Sequence, residues 1–203
     1  MKKYLYLKRI LDIIIAIILL VIFIPLYIII GVIIKIDSKG PVIFVHRRIG
    51  KNGKAFGLYK FRTMVNNAEE LIKDFNKEQM EEYKRSYKLS NDPRVTKIGR
   101  ILRRTSLDEL PQILNVIKGD LSIVGPRPII KEELEKYKNN KDKLLSIRPG
   151  ITGLWVANSN KDTTYEERIE MELSYIDNLS LKMDVDILLK TIGVIINRAI
   201  QKQ

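Results

Sequence analysis

Hydrophobic and polar positions divide the chain near residue 35. Residues 13–34, IIIAIILLVIFIPLYIIIGVII, carry no charge. As a helix, that run is long enough to cross a hydrocarbon core of about 30 Å. It is too long for the apolar core of a secretory signal, and no small-residue cleavage site follows it. Pro25 interrupts it. A proline inside a helix removes one backbone donor and clashes with the preceding turn, so a bend or break is predicted there, and no neighbouring Ser or Thr is placed to satisfy the freed carbonyl. Lys2, Lys3, Lys8 and Arg9 precede the run; Lys35, Lys39, Arg47 and Arg48 follow it. Basic flanks favour the cytoplasmic side of a membrane. A single-pass anchor satisfies the length. A re-entrant helix–break–helix, entering and leaving by one face, satisfies both flanks as well.

Beyond residue 35 the pattern is that of a polar, folded domain. Residues 40–50, GPVIFVHRRIG, and 54–64, KAFGLYKFRTM, read as two strands joined at Asn52-Gly53, a pair that tolerates positive φ at both turn positions. Residues 66–88 are charged with sparse apolar positions (Leu71, Ile72, Phe75, Met80), the pattern of one or two solvated helices. Residues 90–96, SNDPRVT, form a turn-rich joint. Helices are expected at 98–104, at 111–118 with Gly119 as the stop, at 163–177 and at 184–198. The last has a broad apolar face suited to a membrane surface. GPRP (125–128) and RPGITG (148–153) read as loops. The pattern predicts an α+β fold: a re-entrant membrane hairpin over residues 1–36, then a compact cytoplasmic domain over 37–203 with a small β-hairpin and several short, partly interfacial helices.

Composition narrows the chemistry. Against 24 Asp and Glu stand 36 Lys and Arg, a net charge of +12, which favours phosphates, nucleic acid or an anionic membrane face as partners. There is no Cys, hence no disulfide framework and no thiolate chemistry. The one histidine, His46, lies in a strand pattern, reads as structural and cannot build a metal cluster alone. Acid–base or nucleophilic work falls to carboxylates, Lys, Tyr, Ser or Thr.

One stretch concentrates those groups: RRTSLDELPQ, residues 103–112. Ser106 and Glu109 match the S-x-x-E capping box, a purely structural motif. Pro111, however, is tolerated only in the first turn of a helix, which places Asp108 and Glu109 at a helix N-terminus. The helix dipole there, and Arg103 and Arg104 upstream, favour ionised carboxylates. An ionised carboxylate is a poor general acid but a good nucleophile toward phosphorus, or a good Mg²⁺ ligand. Lys60 and Arg62 in YKFRTM, Arg94 in NDPR, Arg127 in GPRP and Arg148 in RPG place cations in or beside Gly/Pro turns, the construction of a phosphate clamp. Each alone reads more readily as a solvated surface residue. Together, beside an Asp–Glu pair on a membrane-bound chain, they point to a phosphate ester handled at the membrane face.

From Lys8 to Ile196 the sequence resembles the bacterial sugar transferases, the monotopic phosphoglycosyl transferases. The resemblance rests on the proline-broken apolar segment at Pro25 and on GPVIFVHRRIGKNGKAFGLYKFRTM, DPRVTKIGRILRRTSLDELPQILNVIKGDLSIVGPRP, RPGITGLW and DVDILLKT, in family order. The chain looks like the minimal catalytic unit, without the extra membrane-spanning domain of larger members. The resemblance implies transfer of a sugar-1-phosphate from a UDP-sugar to polyprenyl (undecaprenyl) phosphate. UMP is released, by a ping-pong route through a phosphosugar–aspartate, and a surface glycan is thereby begun at the bacterial inner membrane. It implies Asp108 as nucleophile, Glu109 as Mg²⁺ ligand, Arg103 and Arg127 as phosphate binders, and Lys60 and Arg62 as supporting cations. Two departures stand out. Ile24 occupies the place before the proline where the family often has serine, and residues 156–160, VANSN, lack an arginine expected near Asn160, in a loop expected to concern the donor. The rival class is a membrane-anchored basic protein binding nucleic acid or anionic lipid; a third is a structural membrane scaffold. The separation of the basic residues into individual turns, with few aromatics and no stacking pattern, argues against nucleic acid.

Overall fold

The computed structural model describes residues 2–86, 89, 91–158, 160 and 163–200. Its first element, α1 (Lys2–Asp37), is one continuous helix across Pro25, where the sequence pattern places a bend or a break; of the two, the break is not made. Only one backbone donor is lost at a proline, and the turns on both sides of it are held against the rest of the protein. One stripe of α1 faces inward: Lys8, Asp12 and Ala16 in the first half, Ile30 and Ile34 in the second, all buried at the four-residue spacing of one helix face. The rest is exposed and apolar, including Ile14, Ile18, Val21, Ile28 and Val32, with Ile24 also outward. Among the described residues α1 alone is long and apolar enough, by length and composition, to cross a membrane.

Polar ties fix both halves of α1. Lys8 Nζ lies 2.8 Å from Asp184 Oδ2, Arg9 donates to Val116 O at 2.7 Å, and Asp12 accepts from Ser122 Oγ at 2.8 Å and the Ile123 N–H at 3.1 Å. In the second half Tyr27 donates to Leu110 O. Arg62 donates to Ser38 O at 2.7 Å and Lys39 O at 3.0 Å, so carbonyls just past the end of α1 are satisfied by a side chain.

Strands β1 (Ile43–Ile49) and β2 (Ala55–Phe61) form the expected antiparallel hairpin, in register from Ile43↔Phe61 to Ile49↔Ala55. Asn52 and Gly53 have φ of 57° and 74°, the positive values that single out Asn-Gly, inside a loop over 50–54. The charged region that follows holds a short 3-10 turn (Glu70–Asp74) and α2 (Lys77–Ser86); residues 87, 88 and 90 lie outside the described residues. Helix α3 (Lys97–Arg104) starts at Thr96, whose hydroxyl accepts the Gly99 N–H at 2.9 Å. Helix α4 (Gln112–Lys118) stops at Gly119, φ 90°. Its fully buried Asn115 accepts the Tyr59 N–H at 2.9 Å and donates to Gly57 O at 2.7 Å, locking α4 to β2.

Two short strands appear that the sequence pattern did not predict, the second inside the stretch 148–153 read as a loop. β3 (Ser122–Val124) and β4 (Gly150–Thr152) pair in parallel. Their backbones and the adjoining loops approach so closely that a Cβ at Gly125, Gly150 or Gly153 would strike main chain. Between and after them come α5 (Lys131–Leu134), α6 (Lys141–Leu145) and α7 (Leu154–Asn158). Helix α8 (Tyr165–Asp177) is opened by a Thr164–Glu167 capping box. Helix α9 (Leu181–Ile200) buries Asp184, Ile187 and Thr191 and exposes Leu181, Val185, Leu189, Ile192, Ile196 and Ile200. The main core gathers Val116, Leu121, Ile129, Tyr137, Tyr175 and Ile187, with Ala16 of α1 packed into it.

Candidate active site

Asp108 and Glu109 lie in a 3-10 turn, Leu107–Glu109, that leads through Pro111 into α4. The capping box is not made. Ser106 is left-handed (φ 56°) and its side chain caps nothing, because an N-cap needs extended backbone. Asp108 is buried, 8% exposed. Lys60 on β2 reaches both carboxylates, with Nζ 2.6 Å from Glu109 Oε1 and 3.9 Å from Asp108 Oδ2. Burial pushes the Asp108 carboxyl up to about 6, against the opposing pull of Lys60 and Arg103 and helped by the negative charge of Glu109. The sequence pattern suggested a carboxylate held firmly ionised by a dipole and arginines. The structure corrects this: α4 proper begins only at Gln112, so burial outweighs both. At neutral pH Asp108 is still mainly a carboxylate, but a poorly solvated one.

Beside Glu109 opens a cleft of about 510 Å³, continuous with solvent; Asp108 itself does not line it. Lys60 and Glu109 line it together with Arg48 of β1, Arg127 in the loop 125–128, Trp155 of α7 and the buried Glu172 of α8. Arg127 presents its guanidinium without donating a side-chain hydrogen bond to any described residue; its ring neighbour is Trp155, 5.5 Å from the centroid. Gln112, Val156 and the glycines of β3–β4 complete the wall. Val156 thus brings one end of the divergent 156–160 segment to the cleft; Ser159 of that segment lies outside the described residues.

The remaining sequence candidates are placed elsewhere. Arg103 is exposed beside the site and donates from Nε to Thr63 Oγ1 at 2.8 Å. Arg62 is occupied past the end of α1. Arg94 forms a two-point pair with Asp92, at 2.8 and 2.7 Å, and lies over the rings of Phe75 and Tyr83. Arg148 donates to Gly119 O at 2.8 Å. None of these four lines the cleft.

Four residues around the cleft escaped the sequence reading as site groups: Arg48, Trp155, Arg168 and Glu172. Arg168 and Glu172 had left a signal. They share the buried face of α8 with Tyr175 and Ile176, so two charges stand on a core-facing stripe, where unpaired charge is costly.

Among the described residues no group of three or more His, Cys, Asp or Glu side chains could hold a metal ion. The Asp108–Glu109 pair nonetheless suits Mg²⁺, which is commonly held by one or two carboxylates together with waters and substrate phosphates.

The cleft is thus open to solvent and lined by the cations Arg48, Lys60 and Arg127 together with Glu109, with the buried Asp108 3.9 Å from Lys60. Residues 3–198 match the bacterial sugar transferase family, and the chain belongs to it. It is similar to an uncharacterized sugar transferase of Haemophilus influenzae (45% identity over 195 residues, covering 95% of this chain and 41% of that protein). It is also similar to the undecaprenyl-phosphate galactose phosphotransferase of Salmonella typhimurium (46% over 162 residues, 78% and 34%) and to the exopolysaccharide production protein ExoY of Rhizobium meliloti (43% over 191 residues, 93% and 84%). The chain thus spans less than half the length of the first two relatives and most of the third. This membership does not favour the reading as a nucleic-acid or anionic-lipid binding protein.

Proposed function

We propose that this chain moves a sugar-1-phosphate from a UDP-sugar to polyprenyl phosphate, undecaprenyl phosphate in the relative's terms, through a covalent phosphosugar–Asp108 intermediate, as the first step of a membrane-linked surface glycan. The observation that carries the reading is a cleft lined by Glu109, Lys60 and an Arg127 guanidinium that donates no side-chain hydrogen bond to any described residue, with the buried Asp108 carboxylate 3.9 Å from that Lys60. A carboxylate oxygen of Asp108 attacks the phosphorus that bears the sugar. An O–P bond forms, the bridging P–O bond breaks, and UMP leaves with that oxygen and its electron pair. A phosphate oxygen of the polyprenyl phosphate then attacks the same phosphorus and releases the aspartate. Poor solvation makes the carboxylate a better nucleophile, while Lys60 and Arg127 balance charge on the phosphates. Glu109 would hold Mg²⁺, which supplies further neutralisation of phosphate charge when bound. Glu109→Gln is therefore expected to lower activity strongly and flatten its Mg²⁺ response; unchanged Mg²⁺ dependence would remove Glu109 from that role.

The topology belongs to the same reading: α1 is re-entrant in the inner membrane, with the catalytic body on the cytoplasmic face. The ties from Tyr4 to Ile34 extend along about 45 Å of helix at the usual rise, longer than a hydrocarbon core of about 30 Å. Both ends of α1 are therefore held by the same polar body. As the chain has no native Cys, single cysteines at Lys3 and Lys39 report sidedness cleanly, and labelling from opposite faces would sink the re-entrant placement. The catalytic reading is tested by brief incubation with a sugar-labelled UDP-sugar and no lipid acceptor. Label should stay on the protein after quenching, map to Asp108, and be absent from Asp108→Asn. Unlabelled wild-type protein together with ternary-complex kinetics would overturn the covalent route.

A further inference from the structure

Arg127 poses a positioning problem. A flexible side chain bound to nothing would sample many rotamers, and ordering it costs entropy each time a ligand arrives. Hydrogen bonds to a carboxylate would order it, as they do Arg94, but would also occupy the donors a phosphate needs. The structure orders it another way. Its backbone N–H donates to Glu172 Oε1 at 3.3 Å. Glu172, 2% exposed, also accepts Arg168 Nε at 3.1 Å and the Tyr137 hydroxyl. Arg168 lies 5.1 Å from the Trp155 ring centroid, and Trp155 returns to the Arg127 guanidinium at 5.5 Å. The contacts close a ring: Arg127 backbone, Glu172, Arg168, Trp155, Arg127 side chain.

Building on the phosphate-transfer reading above, we propose that Trp155 is a positioning residue that presents Arg127 to phosphate esters by a cation–π contact, with Glu172 and Arg168 fixing the geometry behind it. An aromatic face attracts a guanidinium through its quadrupole and takes none of its N–H donors. Arg127 is thereby oriented while its fork remains free for phosphate oxygens, the geometry in which arginine binds phosphate best.

The test uses the full chain in detergent and measures affinity for three probes. UMP stands for the donor side, farnesyl phosphate for the acceptor side, and uridine is the control that lacks phosphate. Trp155→Leu is expected to weaken whichever phosphate probe Arg127 takes by about tenfold, between the values for an exposed and a desolvated cation–π contact. Loss confined to UMP assigns Arg127 to the donor; loss confined to farnesyl phosphate assigns it to the acceptor. Trp155→Phe, which keeps a flat ring, should recover affinity to within about threefold. In an Arg127→Gln background, Trp155→Leu should add no further loss, since the two act as one unit. Equal loss for uridine and UMP, or the same loss with and without Arg127, would overturn the proposal, because Trp155 would then contact the nucleoside or serve only the fold. So would a Leu variant that binds as wild type does. Wild-type protein that binds neither phosphate probe would instead overturn the transfer reading itself. Should Trp155→Leu not fold, the emission of Trp155, the only tryptophan, gives a second reading. The phosphate probe should change it in wild type and leave it unchanged in Arg127→Gln; a change surviving without Arg127 would count against the proposal.

Discussion

The corner at Asp92–Arg94 and the cleft at Asp108–Arg127 are built from the same parts. Each has an arginine in a proline-containing turn and an aspartate that is 8% exposed. At the corner the two are joined: Arg94 forks onto Asp92 at 2.8 and 2.7 Å. Burial pushes Asp92 upward, but the Arg94 hydrogen bonds outweigh it and hold the carboxyl below its ordinary value. At the cleft the two are kept apart. Asp108 has Lys60 at 3.9 Å and a weaker pull from Arg103, and burial pushes it up to about 6, while Arg127 has a ring and, among the described residues, no side-chain hydrogen-bond acceptor. Joined, the parts make a staple; separated, they leave a nucleophile and an anion receptor. Local sequence is the same in kind, and the distance between partners decides the role.

The widest separation should come from removing each arginine. Arg127→Gln is expected to lower sugar-phosphate transfer by roughly 10²–10³-fold, the cost of losing one preorganised donor, with little change in melting temperature. Arg94→Gln should do the reverse. It leaves Asp92 buried without its partner, at a cost of about 3 kcal/mol in stability, while any surviving folded protein keeps its turnover. Both are read by assaying transfer and thermal unfolding on the same preparations. A large activity loss with intact stability in Arg94→Gln would collapse the distinction.

The aspartates should separate the regions by pH. Asp108 has a folded-state value of about 6 against an ordinary 3.8, so between those values the folded protein holds a proton that the unfolded chain has lost. Its stabilising contribution is present below about pH 4 and lost as pH rises through 6. Asp108→Asn should therefore raise stability at pH 7 by roughly 1–3 kcal/mol, with the gain vanishing near pH 4, even as labelling of the protein is abolished. Asp92 runs the other way. Its stabilisation is present at neutral pH and fades as pH falls through the acid range, so Asp92→Asn should destabilise at pH 7. Urea unfolding at both pH values checks the two signs. Transfer by the wild type should rise as pH passes 6 and Asp108 ionises.

Much of this contrast was legible in the sequence, unevenly. Asn52-Gly53 announced the hairpin and Gly119 the end of α4, because both depend on backbone conformations that few residues adopt. Asp108 and Glu109 stood out because Pro111 restricts where a helix can begin. The sorting of the arginines was not legible. Asp92 lies two residues from Arg94, yet nothing in that spacing says that they pair, and the Arg127 contacts come from Trp155 and Glu172, distant in sequence. The parallel pair β3–β4 was also hidden: three residues per strand give no period, and Gly125, Gly150 and Gly153 read as loop punctuation until their close packing is seen. At Pro25 the helix runs on without a break, since tertiary contacts on both sides hold α1 through it.

Arg148 tests the contrast at its weakest point. It too sits beside a Pro-Gly turn, and it engages a neutral carbonyl, Gly119 O at 2.8 Å, rather than a carboxylate. Arg9 approaches the same end of α4, donating to Val116 O and Ile117 O. Two cations at a helix C-terminus each gain from the dipole, but they also repel one another. Arg148→Gln removes one hydrogen bond with a net worth of about 1 kcal/mol and relieves that repulsion. The expected loss in stability is thus below about 1 kcal/mol, with transfer unchanged, and the Arg9→Gln, Arg148→Gln double variant should cost more than the two single variants summed, because each single change spares the cation that remains. If instead Arg148→Gln reduces transfer while leaving the unfolding curve in place, Arg148 belongs with Arg127, and occupation by a backbone carbonyl does not bar an arginine from the site.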